Sequence, residues 1–423
     1  MSTSFIKKIK LILKSKVLSN TFSVSLVKFF DMFIPLLLIP FLTDKLGINM
    51  YGVFATCLVT LNFLINFADF GINVNASRKI AIHQNEDIAL KILNVSLHAK
   101  ILLLIPALLA FNIISYTYGK TYLYSSSLLS LILVCEALTP FCYFQGLQKL
   151  KTYAVVCLIW RWISASLILL LVNSGEDILI YCLLHSLSYL GIAINLYALM
   201  PKKLNFLSKV ELSSIKEVLR EGWNIYASTF IIGLYIPAIT NFVAVTNGAS
   251  AVAIFNVTQR IFSSAYRFFE PINTAIFPYL SRLYTKDEVD FFSKSKRFFS
   301  FFLYGSLGLY LLLFLLREKV VHLFIGGGDN NENTLLVYSI CGLSLIANVM
   351  NLYITHVLII IGKARLLFRI FLLGLISLLL GLLITYEMEL NILYTAVVVN
   401  IPVYLSFLLG CWIFVTKTQR DFQ

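Results

Sequence analysis

About twelve times along this chain the sequence enters an apolar run of roughly twenty residues, the length an α-helix needs to cross the hydrocarbon core of a bilayer. That repetition restricts the fold more than any other feature. Lipid offers no hydrogen-bond partner to a free backbone group, so only helices and closed barrels can span it. Barrel strands would alternate apolar and polar residues over about ten positions; these runs do neither. Of the 423 residues 59% are hydrophobic and 13% charged, with a mean hydropathy of +0.85, whereas soluble domains are near half apolar and a quarter charged. Helices are predicted near 21–43, 50–72, 93–117, 121–145, 153–173, 178–200, 222–246, 250–281, 298–316, 334–361, 365–386 and 391–416. Pro271 and Pro278 should bend or break the eighth.

The net charge of +13 is not spread evenly. Twenty-four Lys and Arg fall in the N-terminal tail, the even-numbered loops and the C-terminal tail, against four in the odd-numbered loops (Lys45, Lys120, Arg317 and Lys319). The positive-inside rule then places both termini in the cytoplasm and removes nucleic acid as the explanation of the charge. The basic N-terminus precedes an apolar run too long for a secretory h-region and should be retained as the first helix. The seven cysteines sit in apolar segments without a CxxC pair and read as small buried hydrophobes. Gly326-Gly327-Gly328 reads as a turn, since no Lys-Ser or Lys-Thr follows it as a phosphate loop requires. No cofactor or metal site is expected.

The loop near Pro201 divides the chain into an N-terminal six-helix bundle, 1–203, and a C-terminal one, 204–423. An even helix number per half gives parallel repeats about an axis along the membrane normal. A faint echo at an offset of 201 sets Gly47, Tyr51, Gly52 and Phe54 against Gly248, Val252, Ala253 and Phe255, and Asp69 against Glu270.

Ionisable groups near helix centres cost about 2.5–3.5 kcal/mol each on insertion scales and usually face a cavity or a partner. The candidates are Lys28, Asp31, Asp69, Lys100, Glu136, Arg161, Arg260, Arg267 and Glu270. Asn256, Arg260, Ser264 and Arg267 step by four, four and three along one helix face, with Glu270 three residues on. Asn62, Asn66, Asp69 and Asn73 make a second stripe, and Ser344, Asn348, Asn351 and Thr355 a third; Asn224, Ser228 and Tyr235 add polar positions on helix seven. Two readings stand for each group. Lys28–Asp31 and Arg267–Glu270 neutralise locally, or they serve a ligand. Lys100 snorkels to the cytoplasmic interface, or it binds. Glu136 is a hydrogen-bonded buried acid, and His185 and His356 are satisfied core residues. Arg260 has no acid three or four residues away on its helix. Surplus inward cations suit an anionic ligand such as a pyrophosphate.

Pro35-Leu-Leu-Leu-Ile-Pro40, Leu46-Gly47, Tyr51-Gly52, Asp69-Phe70-Gly71 with Asn75, Ser77 and Arg78, Phe144-Gln145-Gly146-Leu147 and Ile276-Phe277-Pro278 together resemble one family. It is the polysaccharide transporter branch of the multidrug/oligosaccharidyl-lipid/polysaccharide exporter (MOP) superfamily, and within it the O-antigen flippases of Wzx type. The resemblance implies an all-α, MATE-like membrane protein of two six-helix bundles around a central cavity, in the bacterial inner membrane. It implies no enzymatic activity, but passage of an undecaprenyl-pyrophosphate-linked oligosaccharide to the periplasmic leaflet by alternating access. It brings in an O-antigen polymerase and a chain-length regulator as partners beside the lipid bilayer. Carried over, Lys28, Arg260 and Arg267 attract the pyrophosphate or acidic sugars, and Asp31, Asp69 or Glu270 couple transport to an ion; the polar and charged pattern above adds Asn256, Lys100 and Arg161 as substrate-binding candidates.

Two other functions compete. A drug/cation antiporter of the same superfamily wants an acidic cavity, whereas the intramembrane balance here is basic. A membrane-embedded O-antigen polymerase or ligase wants a sizeable periplasmic loop with arginines, whereas the odd-numbered loops are short.

Overall fold

The computed structural model describes residues 34–201, 210–325 and 332–421. They are helical throughout, with no strand among the described residues. The first helix is described over 34–45 (α1). Then come α2 (Gly47–Asp69), α3 (Ile72–His83), α4 (Glu86–Tyr118), α5 (Lys120–Leu138), α6 (Phe141–Gly146), α7 (Leu150–Leu171) and α8 (Ile178–Ala198). A continuous run, α9 (Leu212–Arg267), leads to α10 (Glu270–Lys286), α11 (Glu288–Leu315), α12 (Arg317–Ile325), α13 (Glu332–Gly342), α14 (Ser344–Ile360), α15 (Ala364–Glu387) and α16 (Ile392–Asp421). Ten helical segments among the described residues are long and apolar enough to cross a membrane. The expected twelve are reconciled with these ten at two places: the first helix, described only from 34, and α9, which contains two expected helices.

The loop expected between helices seven and eight is a single residue. Gly248 has φ 81° and ψ 180° within α9, a conformation essentially confined to glycine, and the chain is helical on either side of it. The expected break at Pro271 is present: α9 ends at Arg267 and α10 begins at Glu270 with proline in its first turn. Proline lacks the N–H that would continue the helical ladder to the carbonyl four residues back, here that of Arg267. Phe268 and Phe269 therefore turn back onto the carbonyls of Ala265 and Tyr266. Position 278 does not interrupt α10. The segment after α11 opens with the short helix α12, and the turn expected at Gly326–Gly328 lies outside the described residues.

The echo at offset 201 has a structural counterpart. Gly47 and Gly248 both take positive φ, 77° and 81°, and each opens a long apolar helix. A break follows, at Phe70–Gly71 in one half and Phe268–Phe269 in the other, and then a short helix, α3 or α10. A long helix comes next, capped by the side chain of Asn85 before α4 and of Asp287 before α11. Packing repeats as well: α7 against α8 and α5 against α8 in one half, α15 against α16 and α13 and α14 against α16 in the other.

Contacts gather the described residues into two units, 34–46 with 57–230, and 47–56 with 231–421. The core of the first includes Leu93, Leu97, Tyr143, Phe144, Cys157 and Leu196. The second buries Phe262, Phe302, Tyr338 and Tyr353, with Phe302 and Tyr353 stacked at 5.1 Å. All seven cysteines are free and six are buried.

Candidate functional site

In the first unit the sequence Asp69-Phe70-Gly71 makes a corner. Phe70 and Gly71 are consecutive left-handed residues, φ 48° and 73°, which end α2 and start α3 almost at once. Asp69 and Asn73 thereby come to bear on one side chain from α4. Lys100 Nζ lies 3.0 Å from Asp69 Oδ1 and donates to Asn73 Oδ1 at 2.9 Å. The Lys100 side chain is 2% exposed and that of Asp69 26%. Lys100 therefore does not snorkel to an interface, and Asp69 carries its counter-charge beside it. The rest of the corner is held by aromatic packing: Phe70 stacks on Tyr226 at 4.5 Å, and Phe67 and Phe63 meet Tyr226 and Phe230. The Phe144-Gln145-Gly146 stretch is tied to α3, with Ser77 donating to Gln145 Oε1 at 2.7 Å and Gln84 to the Gly146 carbonyl at 2.9 Å.

In the second unit Tyr51-Gly52 sits against the start of the helix that follows Gly248. A Cβ on Gly52 would lie 1.8 Å from the Ala249 carbonyl oxygen, so only glycine permits this approach. Tyr51, 1% exposed, is thereby brought within electrostatic reach of Arg260. Arg260 is half-buried, and its Nε donates to Asn256 Oδ1 at 3.1 Å. No carboxylate pairs with Arg260 among the described residues. A guanidinium in this setting keeps N–H donors for a planar, anionic group. Tyr51 is a neighbour that helix periodicity in the sequence did not reveal; its signal was the glycine beside it.

The remaining candidates disperse. Arg267 is exposed at the last residue of α9, and the break separates it from Glu270, so the two do not share a continuous helical face. Ser264, between Arg260 and Arg267, is buried, so that stripe is open at some positions only. Arg161 of α7 packs its guanidinium 5.4 Å from the Tyr189 ring of α8, and Glu136 and Arg161 both act on Tyr153. Lys28 and Asp31 lie outside the described residues. In the third stripe Asn351 joins two helices and Ser344 bonds within its own turn. Asn351 donates to the Val403 carbonyl at 2.9 Å and Ser344 to that of Cys341, while Asn400 and Asn273 do the same for Ile340 and Leu352. His185 packs between Tyr181 and Tyr189, and His356 on Phe277. Among the described residues no group of His, Cys, Asp and Glu could hold a metal ion.

Helix content, helix order and the repeated corners define an integral membrane protein with the all-helical fold of the MOP superfamily. A MATE family multidrug resistance transporter of that superfamily, in an inward-facing conformation, superposes with a TM-score of 0.67 at 14% identity, covering 92% of this chain and 99% of its own. The lipid II flippase MurJ gives a TM-score of 0.67 at 13% identity, covering 93% and 87%. The chain itself belongs to the polysaccharide biosynthesis protein family, whose model matches residues 17–284. It is 26% identical over 343 residues to the "Putative O-antigen transporter" of Escherichia coli (strain K12), covering 79% of this chain and 81% of that one. A protein of the same description from Shigella dysenteriae is 26% identical over 252 residues.

Proposed function

We propose that this protein is a flippase that moves an undecaprenyl-pyrophosphate-linked oligosaccharide from the cytoplasmic to the periplasmic leaflet of the inner membrane by alternating access. Arg260 carries the reading: a half-buried guanidinium in an apolar span, hydrogen-bonded to Asn256, with no carboxylate partner among the described residues. Keeping such a charge there is costly unless a ligand uses it, and pyrophosphate oxygens are suited to the guanidinium fork. The family and the O-antigen transporter relatives support a lipid-linked glycan as the cargo. In this reading Arg260 and Asn256 bind the pyrophosphate, with Arg267 and Lys28 as further attractors, and Asp31 or Glu270 as ion-coupling residues. The two six-helix bundles, 1–203 and 204–423, are the moving bodies, and polymerase and chain-length regulator act downstream.

The cation-antiporter reading loses one of its acids, because Asp69 is engaged by Lys100. Arg260→Glu should abolish surface polysaccharide while the protein stays in the membrane at its normal level. Undiminished polymer from that variant refutes the assignment. For the orientation, a topology reporter fused at Lys203 should read cytoplasmic, and a periplasmic signal would reject it.

A further inference from the structure

Resting on the flippase reading, we infer that the open face of α2 in the first unit, bearing Asn62 and Asn66 beside Phe63, Phe67, Phe70 and Trp223, binds the uncharged sugar rings of the cargo. Within α2 the residues Leu61, Leu64 and Ala68 are buried at 0%, 6% and 1%, whereas Asn62 and Asn66 are exposed. These two carboxamides belong to a segment apolar enough to span a membrane. Set against hydrocarbon, their donors and acceptors would go unpaired at high cost, so this face meets water or a polar ligand. Asn66 Nδ2 donates to the Asn62 backbone carbonyl at 2.9 Å. That bond uses one N–H of the amide and leaves its second N–H and its oxygen for a ligand.

The chemistry beside the amides narrows the ligand. The two asparagines are one helical turn apart, about 6 Å along the axis, and aromatic rings flank them. Trp223 is 56% exposed and lies 5.9 Å from the Phe70 ring; Phe63 and Phe67 occupy the same turns as the asparagines. Aromatic surface beside paired carboxamides suits a pyranose, whose C–H face packs on a ring while its hydroxyls exchange hydrogen bonds. The face is also electrically quiet, because the acid that continues its polar stripe, Asp69, is neutralised by Lys100 at 3.0 Å. A site for a cation or an anion would not be built so.

The test uses the full chain in lipid nanodiscs and two probes: the lipid-linked glycan extracted from host cells lacking this protein, and sugar-free undecaprenyl pyrophosphate. Wild-type protein should bind the glycosylated lipid about tenfold more tightly, as two amide–hydroxyl hydrogen bonds would give. Asn62→Leu with Asn66→Leu should bring that ratio close to one and leave affinity for the sugar-free lipid unchanged. Arg260→Gln should weaken both lipids alike and preserve the ratio. If the double variant does not elute as a folded protein, Trp223→Ala and Asn66→Gln take its place, with a lowered ratio expected from the first and a retained one from the second. A wild-type ratio near one, or a ratio that survives loss of both asparagines, overturns the sugar face while leaving the pyrophosphate reading intact. Failure to bind either lipid defeats both. An unchanged ratio with a shift in oligomeric mass assigns the face to a second copy of the chain instead.

Discussion

Lys100 and Arg260 pose the same physical problem and the protein solves it twice, differently. Each is a cation in an apolar span, with a similar cost of insertion. In the first unit Lys100 is closed in by Asp69 at 3.0 Å and Asn73 at 2.9 Å, so its charge is spent on the fold. In the second unit Arg260 has Asn256 for a neighbour and no carboxylate among the described residues, so its charge is available to a ligand. The difference shows that a basic residue at bilayer depth is not by itself a binding residue; what decides is whether a corner elsewhere in the chain delivers an acid to it.

The contrast can be broken by removing the partner. Lys100→Met should destabilise the protein by about 2–4 kcal/mol, since loss of one member strands the other in a mostly buried setting, discounted for the partial exposure of Asp69. Thermal or denaturant unfolding in detergent reads this directly. Combining Lys100→Met with Asp69→Leu should recover most of the loss, and a double variant as unstable as the single one would show that the pair is not the source. The corresponding Arg260→Gln should change stability by less than about 1 kcal/mol; a loss comparable to that of Lys100→Met would erase the distinction.

Gly52→Ala sharpens the second half of the comparison. Its methyl would press into the Ala249 carbonyl, and overpacking of this kind costs about 1–3 kcal/mol. The shift should also lower polysaccharide export by disturbing the start of the helix that carries Asn256 and Arg260. Export at wild-type level together with wild-type stability would show that the close approach is dispensable. The smallest effect on export belongs to Asn351→Ala, which removes a hydrogen bond to the Val403 carbonyl. About 1 kcal/mol of stability should go while export persists, and loss of export without loss of stability would move Asn351 from glue to substrate contact.

The corner at Asp69-Phe70-Gly71 shows where sequence reasoning stops. The stripe Asn62, Asn66, Asp69, Asn73 assumes one uninterrupted helix, yet Phe70 and Gly71 turn the chain before Asn73. Asp69 and Asn73 then converge on Lys100, a partner about thirty residues away that no local spacing indicates. The stripe through Arg267 to Glu270 fails in the same way at Phe268–Phe269. In both cases the periodic argument holds inside a helix and lapses where a left-handed residue or a proline ends it.

The sequence by itself determined that this chain is a helical membrane protein, roughly how many times it can cross, and that the chain breaks at Pro271. These follow from local quantities: hydrocarbon thickness against helix rise and the missing N–H of Pro271. The sequence also limited the candidate charges to a short set. Only the tertiary structure decided which of them are spent, because pairing between Lys100 and Asp69, or between the Asn351 amide and the Val403 carbonyl, depends on helices remote in sequence being brought within 3 Å, a distance that helical periodicity does not encode.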